Sequence, residues 1–296
     1  MVIREARQAA VAKLSQAGVT DVAPLEVLVL MKHVWNTDEI GLIMMGGDLA
    51  EESKLCELAV LLERRIQGEP IAYLCGKKEF MSLEFEVNSS VLIPRGDTEC
   101  IVEQTIAMCR GKEQPRILDI GTGSGCIAIC LAHSLPQACV TAVDCSQQAL
   151  EVAKRNANYH KTSISFLKLD ILKEEPIGTF DFIVSNPPYI PTDVTAGLTK
   201  DVRGYEPMSA LDGGSDGLMF YRRIIPLAAQ HLQPGGRLVL EIGWDQAEQV
   251  SDLIMEQPAF SAPTILFDLA GRSRGIYATK DKSERCEENE GILQKI

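Results

Sequence analysis

A short apolar run leads into a glycine-rich loop in Arg116-Ile117-Leu118-Asp119-Ile120-Gly121-Thr122-Gly123-Ser124-Gly125. The run from Arg116 to Ile120 predicts a buried strand, and the residues from Ser124 to His133 predict a helix. Glycines at alternating positions let the backbone turn tightly and approach a ligand closely, at the N-terminus of the helix that follows. The spacing is G-x-G-x-G and not the G-x-G-x-x-G of dinucleotide sites. The stretch therefore predicts a strand, a ligand-binding loop and a helix.

Strands and helices alternate from this loop to the C-terminal region, which predicts a doubly wound, mostly parallel α/β sheet of seven strands. The remaining predicted strands are 138–143, 163–169, 179–185, 237–242, 264–268 and 275–279, the last two pairing as a closing hairpin. The remaining predicted helices of this region are 99–109, 147–158, 217–232 and 245–256, with Asp97 or Thr98 as the cap of the first.

The N-terminal part has a different pattern. Helical periodicity in 4–16, in 25–35 and in the segment that ends before Gly68 and Pro70 predicts a small helical bundle. Partial alternation in 79–87, a turn at 88–90 and the apolar residues 91–93 predict a β-hairpin. We therefore expect a helical domain in 1–75, a hairpin linker in 76–95, a ligand-binding domain in 96–280 and a disordered polar tail in 281–296.

Acidic residues follow two further predicted strands at the edge where ligands bind in open α/β sheets. Asp144 ends the second strand, where a carboxylate accepts hydrogen bonds from ribose hydroxyls. Asp170 ends the third strand and is followed by Ile171, on which an adenine ring can rest. Asp119, two residues before Gly121, is placed to hold the ammonium of an amino-acid-bearing cofactor, directly or through water. Taken alone, Asp144 and Asp170 are each also explained as a helix cap or a surface charge, and the glycine loop as a strand-to-helix turn without a ligand.

The predicted fourth strand leads into Asn186-Pro187-Pro188-Tyr189. Proline supplies no N–H, so the two prolines leave a stiff rim of carbonyl acceptors beside an amide and an aromatic ring. The alternative interpretation is a turn that merely ends a strand, because proline and asparagine are both common in turns. With the glycine loop and the two strand-end acids at the same edge, we favour an active site, whose aromatic ring can lie over something flat.

Composition excludes several classes of protein. No apolar run reaches the roughly 18 residues of a membrane helix, and the mixed charges at the N-terminus do not resemble a signal peptide, so we expect a cytoplasmic protein. The absence of such a run also predicts no membrane partner, and the net charge of −12 disfavours direct nucleic-acid binding without excluding it. Nine cysteines without a Cys-x-x-Cys pair and four scattered histidines predict no metal and no disulfide.

Three parts of the chain together resemble S-adenosylmethionine-dependent methyltransferases of planar amino groups: the Asp119–Gly125 loop, Asp144 and the 186–189 tetrapeptide. The resemblance is closest to the peptide chain release factor glutamine methyltransferases. It is carried further by Gly68-Glu69-Pro70-Ile71-Ala72-Tyr73-Leu74-Cys75-Gly76, by Leu92-Ile93-Pro94-Arg95-Gly96-Asp97-Thr98-Glu99 and by Tyr205-Glu206-Pro207-Met208-Ser209-Ala210-Leu211. Glu241-Ile242-Gly243 and Asp268-Leu269-Ala270-Gly271-Arg272 complete it, whereas Met81, Gly96 and Ile171 depart from the family pattern.

The resemblance implies a Rossmann-like methyltransferase fold and S-adenosylmethionine as the cofactor. It implies methylation of the glutamine in the Gly-Gly-Gln loop of release factors. The expected cofactor-binding residues are Asp119, Gly121, Thr122, Gly123, Ser124, Gly125, Asp144, Asp170, Ile171 and Asn186. The expected substrate-binding residues are Asn186, Pro187, Pro188 and Tyr189, of which Asn186, Pro187 and Tyr189 are also the expected catalytic residues.

Three other functions are weighed against this one. A nucleic-acid adenine N6 methyltransferase would use the same tetrapeptide on a flipped-out base, but the acidic charge and the linker motifs disfavour it. A non-catalytic module with a decayed fold would be expected to have lost the glycine loop or Asn186. A nicotinamide-dependent oxidoreductase is disfavoured by the glycine spacing and would have no use for the tetrapeptide.

Overall fold

The computed structural model describes residues 1–268 and 270–282, which fall into two compact units. The first unit comprises Met1–Lys77, Val87–Ser89 and Leu198–Glu206, and the second comprises Lys78–Glu86, Ser90–Gly197 and the described part of Pro207–Ile296. Of the predicted tail, residues 283–296 lie outside the described residues. Asp281, also placed in that tail, donates its backbone N–H to the Ala259 carbonyl at 2.9 Å.

The first unit is a helical bundle, as its apolar periodicity predicts. Its helices are α1 (Ile3–Gln16), α2 (Ala23–Trp35), α3 (Glu39–Met44), α4 (Glu52–Ile66) and α5 (Ile71–Cys75). Leu14, Leu30 and Met31 are fully buried in its core. The guanidinium of Arg65 holds both carboxylate oxygens of Glu26, at 2.8 and 2.9 Å, which ties α4 to α2. The sequence analysis missed α3 and α5, which are too short to establish a helical period.

The β-hairpin is present, but its strands differ from the prediction. It consists of β1 (Lys77–Phe80) and β2 (Leu83–Glu86), joined at Met81 and Ser82. Both turn residues have positive φ, 50° and 60°, which is typical of a two-residue type I′ turn. The expectation of one continuous strand over 79–87 and a second over 91–93 is therefore wrong. The sequence Met-Ser lacks the glycine or asparagine that normally marks such a turn, so the pattern gave no signal there.

The second unit contains the predicted seven-stranded sheet, in the order β5-β4-β3-β6-β7-β9-β8. Its strands are β3 (Arg116–Ile120), β4 (Cys139–Asp144), β5 (Ile164–Lys168), β6 (Phe180–Ser185), β7 (Leu232–Glu241), β8 (Thr264–Phe267) and β9 (Ser273–Thr279). The pairings among β3 to β7 are parallel, and β9 pairs antiparallel with both β7 and β8. The doubly wound fold and its closing hairpin are thus confirmed.

The remaining helices connect and cover the strands. They are α6 (Glu99–Cys109), α7 (Cys126–Ser134), α8 (Gln147–Tyr159), α9 (Thr192–Thr195), α10 (Lys200–Tyr205), α11 (Met219–His231) and α12 (Ala247–Met255), with α10 belonging to the first unit. One buried cluster includes Ile183, Tyr221 and Leu240, and the other includes Ile129 and Phe182. Neighbouring residues of β6 belong to different clusters, as expected for a sheet covered on both faces.

The strand order reverses at β3, because the chain proceeds from β3 to β4 on one side and later returns to β6 on the other. Ligands bind at such a switch point, outside the carboxyl ends of the strands. The hydroxyl of Ser185 donates to the Ile120 carbonyl at 2.7 Å, which fixes the ends of β6 and β3 against each other. Among the described residues, no helix has the length and apolarity that a membrane span requires.

Candidate active site

A cavity of about 390 Å³ lies at this switch point. Eight of the predicted site residues line it: Gly121, Gly123, Asp144, Asp170, Ile171, Asn186, Pro187 and Pro188. Apolar side chains that the sequence analysis did not assign to the site complete its wall, among them Leu92, Ala149, Met208, Met219 and Phe220. Asp119, Thr122, Ser124, Gly125 and Tyr189 are not lining residues. Each of these five residues lies within two positions of a lining residue in the chain.

The three glycines of the loop all have positive φ, but they have different surroundings. A Cβ atom built on Gly121 or Gly123 would meet no other atom within 4 Å. On Gly125 it would lie 3.0 Å from Ile129 Cδ1 and 3.1 Å from Ala153 Cβ. The first two glycines therefore leave open space beside the backbone on the cavity side, whereas the third allows α7 to pack closely against α8.

Asp144, the last residue of β4, braces the loop. Its Oδ2 accepts the backbone N–H of Gly123 and its Oδ1 accepts that of Ser146, both at 2.9 Å. Burial raises the pKa of Asp144, and these two N–H groups act in the opposite direction. Each carboxylate oxygen retains a second lone pair, so Asp144 can hold the loop and still accept hydrogen bonds from hydroxyls in the cavity.

Asp119 lies fully buried beneath the loop. Its Oδ2 accepts the hydroxyl hydrogen bond of Thr122 at 2.7 Å, and its Oδ1 has no hydrogen-bond partner. Burial raises its pKa to about 7, with the nearby Asp144 charge acting in the same direction. The hydroxyl of Ser124 is also buried without a partner. Unsatisfied buried polar atoms are uncommon in proteins, so a pair of them under one loop is typical of a binding site.

Asp170 and Ile171 reach the same cavity from the end of β5. The Oδ1 of Asp170 accepts the Leu172 N–H at 3.1 Å, and its Oδ2 pairs with Lys173 at 2.8 Å, which lowers its pKa. Ile171 is buried, and its carbonyl accepts a hydrogen bond from Arg223 Nε at 2.8 Å. An acceptor and an apolar surface thus adjoin each other at this end of the cavity.

Asn186 begins the tetrapeptide, directly after β6. Its Nδ2 donates to the hydroxyl of Thr98 at 3.1 Å, which fixes the orientation of the side-chain amide. Oδ1 is the acceptor end of that amide and is left for another donor. The sequence analysis placed Asp97 or Thr98 as the cap of α6, but neither side chain caps the helix. Thr98 instead contacts Asn186, and Asp97 pairs with Arg274 at 3.1 Å.

The rest of the tetrapeptide is held from below. The hydroxyl of Tyr189 donates to Glu241 Oε1 at 3.3 Å, and the Tyr189 carbonyl accepts from Gln246 Nε2 at 3.0 Å. Burial and the charge of Glu241 both raise the pKa of Tyr189. Gly213 allows another chain segment to press on this loop, since a Cβ atom there would lie 2.8 Å from the Pro188 carbonyl. The strand-end turn is therefore a rigid one.

Thr98, Glu241 and Gln246 are the functional-site residues that sequence reasoning missed. Glu241 stood in a segment that carried the family resemblance, but nothing in its spacing assigned it a contact with Tyr189. Thr98 was assigned only a helix cap and Gln246 no role at all, because their partners lie far away in the chain. Glu99, in the 92–99 segment that carried the resemblance, accepts the Met81 N–H at 2.9 Å.

These features fit an amino-acid-bearing nucleoside. The cavity offers acceptors for hydroxyls at Asp144, an apolar surface at Ile171 and open backbone at Gly121 and Gly123. Asp119 Oδ1 and Ser124 Oγ are buried polar atoms without a partner at the other end of the glycine loop. S-adenosylmethionine has the matching parts, and when bound it supplies an electrophilic methyl group on a sulfonium.

Comparisons with known proteins agree with this geometry. Residues 100–200 match the model of the methyltransferase small domain, and residues 5–76 match that of the PrmC N-terminal domain. The chain is 45% identical to the release factor glutamine methyltransferase of Geobacter sulfurreducens, over 80% of this chain and 82% of that protein. It is 42% identical to the release factor glutamine methyltransferase of Moorella thermoacetica, over 94% and 98%.

Among solved structures, the hMettl16 catalytic domain in complex with MAT2A 3′UTR hairpin 6 has a TM-score of 0.55 and 16% identity, over 80% of this chain and 84% of that one. This likeness concerns the fold alone. Fold and site together define an S-adenosylmethionine-dependent methyltransferase. Within that class, the identities over most of both chains show that this chain belongs to the release factor glutamine methyltransferase family.

Proposed function

We propose that this enzyme transfers a methyl group from S-adenosylmethionine to the side-chain amide nitrogen of the glutamine in the Gly-Gly-Gln loop of peptide chain release factors. The family supports methylation of a release factor glutamine. The observation that carries the proposal is the orientation of Asn186. With its Nδ2 donating to Thr98, its Oδ1 is free to accept an N–H of a planar substrate amide.

Methylation of a carboxamide nitrogen requires hydrogen-bond acceptors of this kind. A carboxamide nitrogen is a poor nucleophile because its lone pair is delocalised into the carbonyl. We infer that Asn186 Oδ1 and the Pro187 carbonyl accept its two N–H groups, which orients the nitrogen and makes it more electron-rich. Acceptors at these positions also stabilise the positive charge that develops on nitrogen as the new N–C bond forms. Most of the acceleration then comes from positioning.

The remaining tetrapeptide residues confine the amide. Pro188 lines the cavity. Tyr189 follows it in the chain without lining the cavity itself, and we propose that its ring contacts the flat amide group once the substrate is bound. Its hydroxyl bond to Glu241 limits the ring to one orientation, which favours such a contact. No strong general base is required, because a methylated amide protonated on nitrogen is a strong acid and loses its proton to water.

The cofactor roles follow the positions of the lining residues. We propose that Gly121, Gly123 and Asp144 bind the sugar and methionine parts, and that Asp170 and Ile171 bind the base. Thr122 and Ser124 support the loop, Gly125 allows its close packing, and Asp119 offers a buried negative charge to the cofactor's ammonium. The support is the lining position of Gly121, Gly123, Asp144, Asp170 and Ile171 and the burial of Asp119 beneath the loop.

We further propose a division of the chain in which residues 1–75 recognise the release factor, 76–95 link and 96–280 catalyse. Release factors act in translation, so we place the enzyme in the cytoplasm. The net charge of −12 supports a protein partner over direct contact with nucleic acid.

The experiment is methyl transfer from labelled S-adenosylmethionine to three acceptors under identical conditions. They are a release factor, the same release factor with its Gly-Gly-Gln glutamine changed to alanine, and duplex DNA. We expect label in the first acceptor alone. Label in the alanine variant would place the modification at another residue, and label only in DNA would contradict the proposal in favour of an adenine methyltransferase.

A further inference from the structure

Beneath the tetrapeptide lies a carboxyl group that the proposed reaction does not use directly. Glu241 is the last residue of β7 and is only 2% exposed. Its Oε1 accepts the hydroxyl hydrogen bond of Tyr189 at 3.3 Å, and its backbone carbonyl accepts that of Tyr221 at 2.9 Å. Its Oε2 is buried and makes no close hydrogen bond. A buried acid held this way needs an explanation beyond packing.

Thr98 connects this acid to Asn186. Its hydroxyl accepts the hydrogen bond from Asn186 Nδ2 at 3.1 Å. Burial raises the pKa of the Glu241 carboxyl, and the neighbouring Thr98 hydroxyl lowers it, as a hydrogen-bond donor to a carboxylate does. A hydroxyl has one proton to donate. Because it accepts from the amide, that proton is free to point toward the acid. The side chain is 2% exposed and makes no helix-capping bond, so water does not compete for this position.

The direction of these bonds has an electronic consequence. Asn186 donates to Thr98, and Thr98 donates toward a carboxylate. Groups in such a chain polarise one another, and the effect is stronger away from water. A negative charge at the Glu241 end draws the Asn186 N–H dipole toward Thr98 and raises the electron density on Asn186 Oδ1. That oxygen becomes a better acceptor for a substrate N–H.

We propose that Glu241 is a positioning residue for methyl transfer, which orients Asn186 through Thr98 and Tyr189 directly, and whose negative charge strengthens Asn186 Oδ1 as an acceptor. This inference rests on the function proposed above. One buried acid thus supports both polar side chains of the tetrapeptide, Asn186 and Tyr189. The sequence spacing of Glu241 does not predict this connection.

The ionisation of Glu241 makes the proposal visible in a pH profile. Burial raises the pKa of Glu241 to about 7, while its bonds to Thr98 and Tyr189 lower it. The carboxyl is therefore charged above that pH and neutral below it, so turnover should fall as the pH drops through this range. The ionisable groups that face it are Asp97, Cys100, Cys126, Tyr189, Tyr221 and Arg274.

The experiment measures kcat and cofactor affinity against pH for Glu241→Gln, with Glu248→Gln as a matched control on the exposed side of α12. We expect Glu241→Gln to lower kcat about 10-fold at alkaline pH, the effect of losing one charge-assisted hydrogen bond. Its cofactor affinity should stay within about 2-fold of wild type, since Glu241 does not line the cavity. In Glu241→Gln the fall of kcat at low pH, which we call the acid limb of the pH profile, should vanish. Glu248→Gln should keep the acid limb.

Thr98 provides a second pair of variants, in case Glu241→Gln folds poorly. Thr98→Val keeps the shape and removes the hydroxyl, so kcat should fall by a similar factor; Thr98→Ser restores the hydroxyl and should restore turnover. The double variant Thr98→Val with Glu241→Gln should lose less than the product of the two single losses, because both break one chain of bonds.

Three outcomes are distinguishable. Wild-type transfer to the release factor with an acid limb that Glu241→Gln removes supports the inference. Wild-type transfer with an unchanged limb in Glu241→Gln, or Thr98→Ser as inactive as Thr98→Val, overturns the inference and leaves the proposed function standing. Absence of wild-type transfer at every pH overturns the proposed function, and the inference with it.

Discussion

Asp119 lies beneath the glycine loop at the end of β3, whereas Glu241 lies beneath the tetrapeptide at the end of β7. Both carboxyls are almost completely buried, and burial raises the pKa of each to about 7. Each also has one oxygen that makes no close hydrogen bond. Their neighbours differ. Asp119 bonds to Thr122 of its own loop, and Glu241 bonds to Tyr189 of another strand's loop.

This difference separates two tasks at one sheet edge. The loop after β3 is braced by Asp119 and Thr122 of the same segment and by Asp144 at the end of the adjacent strand β4, which suits a rigid cradle for a cofactor of fixed shape. The tetrapeptide after β6 is braced by distant residues: Thr98 just before α6, Glu241 of β7 and Gln246 just before α12. We therefore expect substitutions on the first side to change cofactor binding and substitutions on the second side to change turnover.

The largest expected effect is that of Asn186→Ala on turnover. Loss of one preorganised acceptor should lower kcat by about 100-fold while cofactor affinity remains nearly intact. Single-turnover methyl transfer and calorimetric titration with S-adenosylmethionine measure the two quantities separately. The exposed Asn158→Ala on α8 is a matched control and should behave as wild type. Equal losses of affinity and turnover would mean that Asn186 mainly binds the cofactor.

Asp144→Ala should produce the opposite split. It removes a charged acceptor from the cavity and the brace on the Gly123 N–H, so cofactor affinity should weaken by about 10- to 100-fold. Turnover at saturating cofactor should remain close to wild type. Calorimetry checks the affinity, with the exposed Asp252→Ala as control. An unchanged affinity would contradict the assignment of Asp144 to the ribose.

Asp119 should give cofactor binding its pH dependence. With a pKa raised to about 7, its carboxyl is charged above that pH and neutral below it, and Asp144 and Cys126 are the ionisable groups beside it. Affinity should therefore weaken as the pH falls through this range, by up to about 10-fold per pH unit. In Asp119→Asn the affinity should be low and nearly constant with pH. If the affinity of Asp119→Asn still changed with pH in this range, the pH dependence would belong to another ionisable group.

A pair of glycine substitutions offers the most sensitive comparison. Gly123→Ala would place a methyl group in the open space beside the loop, at a φ of 55°, and should weaken cofactor binding several-fold. Gly213→Ala would press on Pro188 and should lower kcat several-fold with little change in affinity. Gly47→Ala, which meets nothing within 4 Å and has an ordinary φ, is the control. If both substitutions changed cofactor affinity and kcat in the same way, the glycine loop and the tetrapeptide would not have separate tasks.

The elements of the sheet could be predicted from sequence because each carries its own pattern. The loop after β3, the ends of β4 and β5 and the tetrapeptide after β6 all follow apolar runs of strand length. Topology then brings them to one edge without further information. The positions of Gly121, Gly123, Asp144 and Asn186 around one cavity agree with that prediction.

What could not be predicted are contacts between distant residues and elements too short for a period. The bond between Thr98 and Asn186 joins residues 88 positions apart, and that between Tyr189 and Glu241 joins residues 52 apart. Thr98 has the sequence position of a helix cap, so local rules assigned it that role. In the hairpin, the positive φ values of Met81 and Ser82 oppose the local preferences of both residues.

The most direct test of the proposed reaction is fragmentation mass spectrometry of the release factor peptide that contains Gly-Gly-Gln, after incubation with the enzyme and S-adenosylmethionine. The proposed function predicts one added methyl group on the side-chain nitrogen of that glutamine. It also predicts that Asn186→Ala leaves the peptide almost unmodified in the same time. A methyl group on any other residue of the peptide, or an unmodified peptide with active wild-type enzyme, would contradict it.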